Sequence, residues 1–354
     1  MKLSELVLVS TRRSKSLIAL LSLCFLLIAA IIIACSVGPV PIPFSRTTAI
    51  LFEKLGMYIP IAYSEREWLV VSQVRLPRVL VGALVGLALG ISGAVMQGVF
   101  RNPLVEPGYV GVSSGAAVGA VCALFFGWSQ FGRWVLPLSA FIGAVIAVLV
   151  ILAVWKSSRS RSIATLLLLG IGINALLSAM ISVIVASSSN DQELRSIIFW
   201  LQGGLEARTW EHLQLISAPI VIGCLVMLAF SRQLNMMLLG DEQAASTGIN
   251  IRSIRHFLLI LSSLLTGAAV AVSGIIGFVG LVVPHMIRLL AGPDHRLLLP
   301  ASALGGAIFL VLADVISRMV LQPVTLQVGV VCAFIGAPVF IALIIQSRRG
   351  GHAE

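Results

Sequence analysis

Apolar runs long enough to cross a bilayer recur along almost the whole chain, and this repetition constrains the fold more than any single motif. They lie at about 17–36, 79–98, 111–127, 135–154, 163–186, 212–230, 257–276, 277–290, 297–318 and 328–346. A spanning helix needs roughly 20 apolar residues, because the hydrocarbon layer offers the backbone no hydrogen-bond partner outside its own helix. The eighth run is short for a simple span and reads as tilted or buried among its neighbours. With 11% charged residues, 58% hydrophobic residues and a mean hydropathy of +1.06, the chain cannot cover a water-facing surface. That excludes a cytosolic enzyme, a disordered chain and a disulfide-rich secreted module. The expectation is an all-α, polytopic membrane protein with about ten transmembrane helices, forming a single transmembrane domain over residues 1–354.

The net charge of +10 would suggest nucleic acid if it were clustered, but the charges sit mostly in short gaps between apolar runs. Membrane topology explains them better, so no nucleic-acid partner is expected. With the N-terminus inside, the inner side holds Lys2, Arg12, Arg13, Lys15, Arg101, Lys156, Arg159, Arg161, Arg232, Arg252, Arg255, Arg288, Arg296, Arg348 and Arg349. The stretch KSSRSR at 156–161 is the clearest single signal. An excess of basic residues marks the cytoplasmic side, so both termini are predicted there, with a short cytoplasmic segment 1–16. The first apolar run is longer than a signal-peptide core and no small-residue cleavage site follows it, so it reads as a retained helix. Cys24, Cys35, Cys122, Cys224 and Cys332 lie inside apolar runs, form no CxxC, and read as small buried apolar residues.

Glycine spacing speaks to helix packing. Gly82, Gly86 and Gly90 recur every fourth residue, and Gly115 and Gly119 repeat the spacing. Small residues let helices approach where lipid provides no hydrophobic drive. Packing within one subunit is favoured over a dimer seam. A faint internal repeat pairs SGAVMQGVFRNPL, from Ser92-Gly93, with SGIIGFVGLVVPH, from Ser273-Gly274, in predicted opposite orientations. Inverted repeats are a transporter design, although a chance match of small residues reads as well.

Motifs for chemistry are sparse. Lys2, Lys15, Lys54 and Lys156 are the lysines, and none follows a glycine, so the phosphate-binding Gly-Lys-Ser/Thr signature is absent. If ATP drives this chain, another polypeptide binds it. His212, His256, His285, His295 and His352 are dispersed at or beyond helix ends, and no metal site is expected from them. Asp314 is the ionisable residue inside a span, and Arg318, four residues on, shares its helix face, so a structural ion pair is expected rather than a proton relay. Arg75 and Arg78, in RLPR, stand at the predicted outer mouth of the second span, with Pro77 suited to a helix first turn. Arginines there oppose the helix dipole and need another reason, either lipid phosphate or an acidic docking partner. The inner connection 231–256 carries Leu239, Gly240, Asp241, Glu242, Ala244 and Ala245 before Gly248, and predicts a short amphipathic helix ending at that glycine. It serves as an interfacial anchor or as a knob for a cytosolic partner.

Taken together, RLPR (75–78), SGAVMQGVFRNPLVEPGYVGVSSGA (92–116), WLQGGL (200–205), LGDEQAASTGI (239–249), GFVGLVVPHMIRLLAGPDHR (277–296), ADVISR (313–318) and IGAPVF (335–340) resemble the permease subunits of type II ABC importers, the BtuC-like family for haem, ferric siderophores and cobalamin. The resemblance runs from about 70 to 345. It implies a BtuC-like permease fold, a homodimer in the bacterial inner membrane, two cytosolic ABC ATPase subunits that hold the ATP and magnesium, and a periplasmic substrate-binding protein. No cofactor and no catalytic residue is then expected in this chain. By resemblance, Arg75, Arg78 and Arg318 meet acidic residues of the binding protein, and the Leu239–Gly248 segment couples to the ATPase. Thr325-Leu326-Gln327 replaces the Glu-Leu-Pro usual in the family, which removes any ion pair that glutamate would make.

Haem is the first expectation for cargo, from the EPGYVGVSSGA wording at 106–116, with siderophore and cobalamin as alternatives. A self-sufficient secondary transporter would need several intramembrane ionisable groups or a polar filter. An intramembrane enzyme would need a nucleophile–base pair, and none stands out.

Overall fold

The computed structural model describes residues 2–158, 162–188, 190–240, 243, 250–322 and 324–350. Among these residues all regular structure is helical. Among the described residues seven helices are long and apolar enough to cross a membrane, and three shorter apolar ones accompany them. The ten expected runs correspond to α1 (Lys2–Ser36), α4 (Leu76–Phe100), α5 (Val112–Phe125), α6 (Val135–Ser157), α7 (Ile163–Ser187), α9 (Trp210–Ala229), α11 (Ile251–Ser273), α12 (Val279–Ala291), α13 (His295–Met319) and α14 (Val328–Gly350). The eighth run, α12, is short because it starts deep in the bundle, with residues 279–284 buried.

Four helices were not foreseen. α2 (Phe44–Lys54), α3 (Glu65–Leu69), α8 (Asp191–Leu201) and α10 (Ser231–Leu238) are short and mostly amphipathic, so a search for long apolar runs passes over them. α3 matters most for the site. Ser64 and Glu67 form a capping box that starts the helix. A π-helical turn over Val70–Arg75 then carries it into α4 without a break. The helix therefore begins well before Arg75 and Pro77, and those arginines do not confront a helix N-terminus. The expectation of a helix start at RLPR is corrected on this point.

α4 is the axis of the bundle, wrapped by α9, α11, α12 and α13. α1 and α2 cover its first turns, while α5 and α6 pack as a pair beside α11. The expected buried cysteines hold for Cys35, Cys224 and Cys332, but Cys24 lies exposed on α1. A helix crossing lipid tolerates a small apolar residue on either face.

Candidate functional site

The RLPR end of the bundle is organised by guanidinium groups. Arg75 is 5% exposed and donates through Nη1 to the carbonyls of Cys35 and Ser36, both at 2.8 Å, and through Nη2 to Val40. Arg318, 4% exposed, donates to Val37 at 2.9 Å and Ala34 at 3.0 Å. The two arginines thus hold the free carbonyls where α1 ends, a position that favours cations. Arg318 Nε lies 3.1 Å from Asp314 Oδ2, so the expected ion pair is present. That nitrogen donates to the Asp314 backbone carbonyl at 3.2 Å, leaving the carboxylate contact purely electrostatic. Sequence reading missed the stronger partner: Arg78 Nε and Nη2 both donate to Asp314 Oδ1, at 2.9 and 2.8 Å. No spacing rule could find a pair separated by 236 residues. Arg75 and Arg318 therefore face inward here, and Arg78 is the least enclosed of the three.

The glycines expected to pack helices do so within this one chain. A Cβ at Gly86 or Gly90 would strike the backbone carbonyl of Gly306 or Ser302 on α13, and one at Gly82 would meet the Leu205 side chain. Gly115 and Gly119 lie equally close to Gly143 and Ser139 on α6.

At the centre, two breaks in helical structure face each other. The connection 101–111 holds a short 3-10 turn, Pro107–Val110, and the α11–α12 link holds Gly274 and Phe278, both at left-handed φ near +67°. A cavity of about 170 Å3 lies between them, lined by Leu89, Glu106, Tyr109, Ser113, Thr266 and Gly277, among others. The Glu106 carboxylate accepts a hydrogen bond from the Phe278 backbone N–H. The two halves of the faint repeat also meet. Gly93 packs on the Gly280 backbone, and Gln97 Nε2 donates to the Gly280 and Leu281 carbonyls at 3.4 and 3.1 Å. Unwound backbone inside a spanning bundle occurs where it is enclosed by protein or lines a cavity.

At the opposite end, α10 packs on α13 and α4. Asn235 Oδ1 accepts from the His295 backbone at 2.8 Å, and Asp294 caps α13 through the Arg296 N–H at 3.0 Å. Of the expected coupling residues, Leu239 is 64% exposed and Gly240 ends the described segment with φ +112°. Asp241, Glu242, Ala244, Ala245 and Gly248 lie outside the described residues, as do Arg159, Arg161 and His352. A further helix, Ser231–Leu238, precedes the stretch from which one was expected, and Gln243, a residue described within that stretch, is helical.

A bundle of spanning helices enclosing opposed unwound segments is the architecture of a membrane transporter. The model of the FecCD transport family matches residues 26–346, and the chain belongs to that family. It is 43% identical over 291 residues to the hemin transport system permease protein HmuU of Yersinia pestis, covering 81% of this chain and 86% of the relative. It is 38% identical over 351 residues to the cobalamin import system permease protein BtuC of Halobacterium salinarum, covering 90% and 93%. A solved structure, an inward-facing conformation of a metal-chelate type ABC transporter, superposes with a TM-score of 0.82 at 32% identity, over 92% of this chain and 98% of the other. The protein is a permease of the type II ABC importer family, multi-pass in the inner membrane, with ATP hydrolysis in a separate subunit.

Proposed function

We propose that this permease imports an iron-bearing organic complex, with haem first. The observation that carries the reading is the EPGYVGVSSGA stretch. It forms one wall of the central cavity, where unwound backbone of two segments meets. A relative named for hemin supports an iron-bearing cargo and one named for cobalamin supports the wider class of large metal chelates, and such a chelate arrives with its metal already ligated. The permease then needs a path rather than a metal cage.

The working unit is a homodimer with two cytosolic ATPases and an external binding protein, and both termini of each permease face the cytoplasm. Residues Leu239–Gly248, following α10, couple it to the ATPase. The binding protein docks on the RLPR end. Arg78 is best placed to meet it, because it is the least enclosed of the three.

The test is uptake into proteoliposomes holding permease, ATPase and the cognate binding protein, with haem, a ferric siderophore and cobalamin offered in turn. ATP-dependent accumulation of haem is expected. Accumulation of cobalamin alone would replace the substrate, and accumulation without an ATPase would overturn the coupling.

A further inference from the structure

A second cavity, of about 180 Å3, lies beside the connection between α8 and α9. Its walls include Trp200, Gly204, Glu206, Arg208, Ser273 and Gln327. It belongs to the RLPR end: Trp210 Nε1, two residues beyond Arg208, donates to the Ser72 carbonyl at 3.0 Å. Pockets that enclose a whole drug-sized ligand run to roughly 300–1,000 Å3. This one fits a single functional group.

The polar inventory of this cavity is out of balance. Trp200 is 7% exposed, and its indole N–H has no hydrogen-bond partner. Arg208 Nε is likewise buried and unpaired. Buried donors are almost always satisfied, so two orphans on one cavity call for an acceptor. Glu206 Oε1 accepts from the Thr325 hydroxyl, and neither orphan donor is hydrogen-bonded to the Glu206 carboxylate. Asp314 is occupied too, holding Arg78 and Arg318. Burial pulls the Arg208 guanidinium down to about 10, the charge of Arg78 adds to that, and Glu206 works against it. The charges of Arg208 and Glu206 offset each other, and what the cavity holds in excess is hydrogen-bond donors without acceptors. Thr325 leaves that balance in place, since an acid at that position would set a second carboxylate against Glu206. Gln327, 5% exposed, closes the wall by packing its amide where a side chain at Gly204 would otherwise stand.

We propose that this cavity binds a carboxylate of the transported molecule, with Arg208 and the Trp200 indole N–H as the donors. The site selects cargo bearing free carboxylates over cargo whose acids are amidated or esterified. An acidic side chain of a docked protein has the same chemistry. The depth of Trp200 and Gln327 favours a group on a small molecule entering between helices over one on a protein lying across the surface. The proposal rests on import of an organic complex, and its first readout is independent of transport.

That readout is the Trp200 indole N–H resonance of the full-length permease in lipid nanodiscs, assigned by its loss in Trp200→Phe. Titration with gallium protoporphyrin IX, a diamagnetic stand-in for haem, should shift it. The dimethyl ester of the same porphyrin should not, and Arg208→Gln should abolish the response while Arg208→Lys restores part of it. In proteoliposomes with ATPase and binding protein, Arg208→Gln should cut haem uptake roughly tenfold, the equivalent of one charged hydrogen bond, and leave uptake of haem dimethyl ester unchanged. An equal shift with the ester, or none with the free acid, overturns the site. Equal loss of uptake for acid and ester assigns Arg208 a structural role and overturns it as well. Weakened docking of the empty binding protein in Arg208→Gln would give the contact to the protein instead. A preserved shift with no haem uptake by the wild type would leave the site standing and defeat the substrate reading alone.

Discussion

α4 and α7 have matching hydropathy and both are long enough to span, yet 78% of the most apolar window in the Glu65–Phe100 stretch is buried against 6% in Ala164–Ser187. Hydrophobicity admits both helices to the membrane and assigns neither its place. Within lipid, an apolar side chain gains little by moving from tails to protein, so position is decided by close backbone contact and by polar groups that need partners. α4 has both: Gly86, Gly90 and Gly93 bring it onto carbonyls of α13 and α12, and Arg78 ties its first turn to Asp314. α7 has a close approach at Gly170 to the Tyr109 carbonyl and a hydrogen bond from Asn174 Nδ2 to Gly108 at 3.2 Å, while Gly172 has open space around it.

The largest break in this contrast should come from Asp314→Asn. The change removes the negative charge between Arg78 and Arg318, whose side chains are 13% and 5% exposed. Removing one partner of a buried ion pair costs about 3–5 kcal/mol. Thermal unfolding in detergent should show a loss of that size, and a loss below about 1 kcal/mol would mean that water reaches the cluster freely. A double change, Asp314→Asn with Arg78→Gln, should recover part of it by deleting one of the two stranded charges.

A smaller effect separates the helices directly. Gly90→Leu drives a side chain into the Ser302 carbonyl, which belongs to backbone and cannot rotate away. Overpacking of this kind costs about 1–3 kcal/mol, sometimes more. Gly172→Leu on α7 meets nothing within 4 Å and should stay within about 0.5 kcal/mol of wild type. Equal responses at the two positions would show that burial within one chain does not distinguish these helices.

The contrast also explains what could be read from sequence. The ten apolar runs were legible because lipid imposes a length and a composition on each span regardless of its neighbours. Gly82, Gly86 and Gly90 were legible as a packing face because their period matches the helix. The Asp314–Arg318 pair was legible for the same reason, being local. Arg78 with Asp314, Arg75 and Arg318 on the end of α1, and Thr325 with Glu206 are contacts between distant segments, and no periodicity announces them. Arg75 was misplaced for a definite reason. The apolar run and Pro77 mark a start at RLPR, whereas the capping box at Ser64 and the π-turn set it earlier, and Arg75 is buried.

The smallest expected effect is on the caps. α13, the main partner of α4, starts at a titratable cap, whereas α7 starts at Ser162, whose hydroxyl accepts from the Thr165 N–H at 3.1 Å. Burial works to raise the Asp294 carboxyl, but the Arg296 N–H and the Asn235 amide prevail and bring it below its ordinary value. A depressed folded-state value means the carboxylate stabilises the fold above the unfolded pKa, near 3.8, and that this contribution is lost as pH falls through the folded one. Hydrogen-exchange protection, corrected for the intrinsic rate, should therefore drop in the first turn of α13 between neutral pH and about 3, and stay level in the first turn of α7. Asp294→Asn keeps a good capping residue and removes the titration, so it should flatten the α13 profile without unfolding the turn. If the acid loss survives in that variant, the sensitive group lies elsewhere on α10 or α13, and the cap is not what distinguishes the two helices.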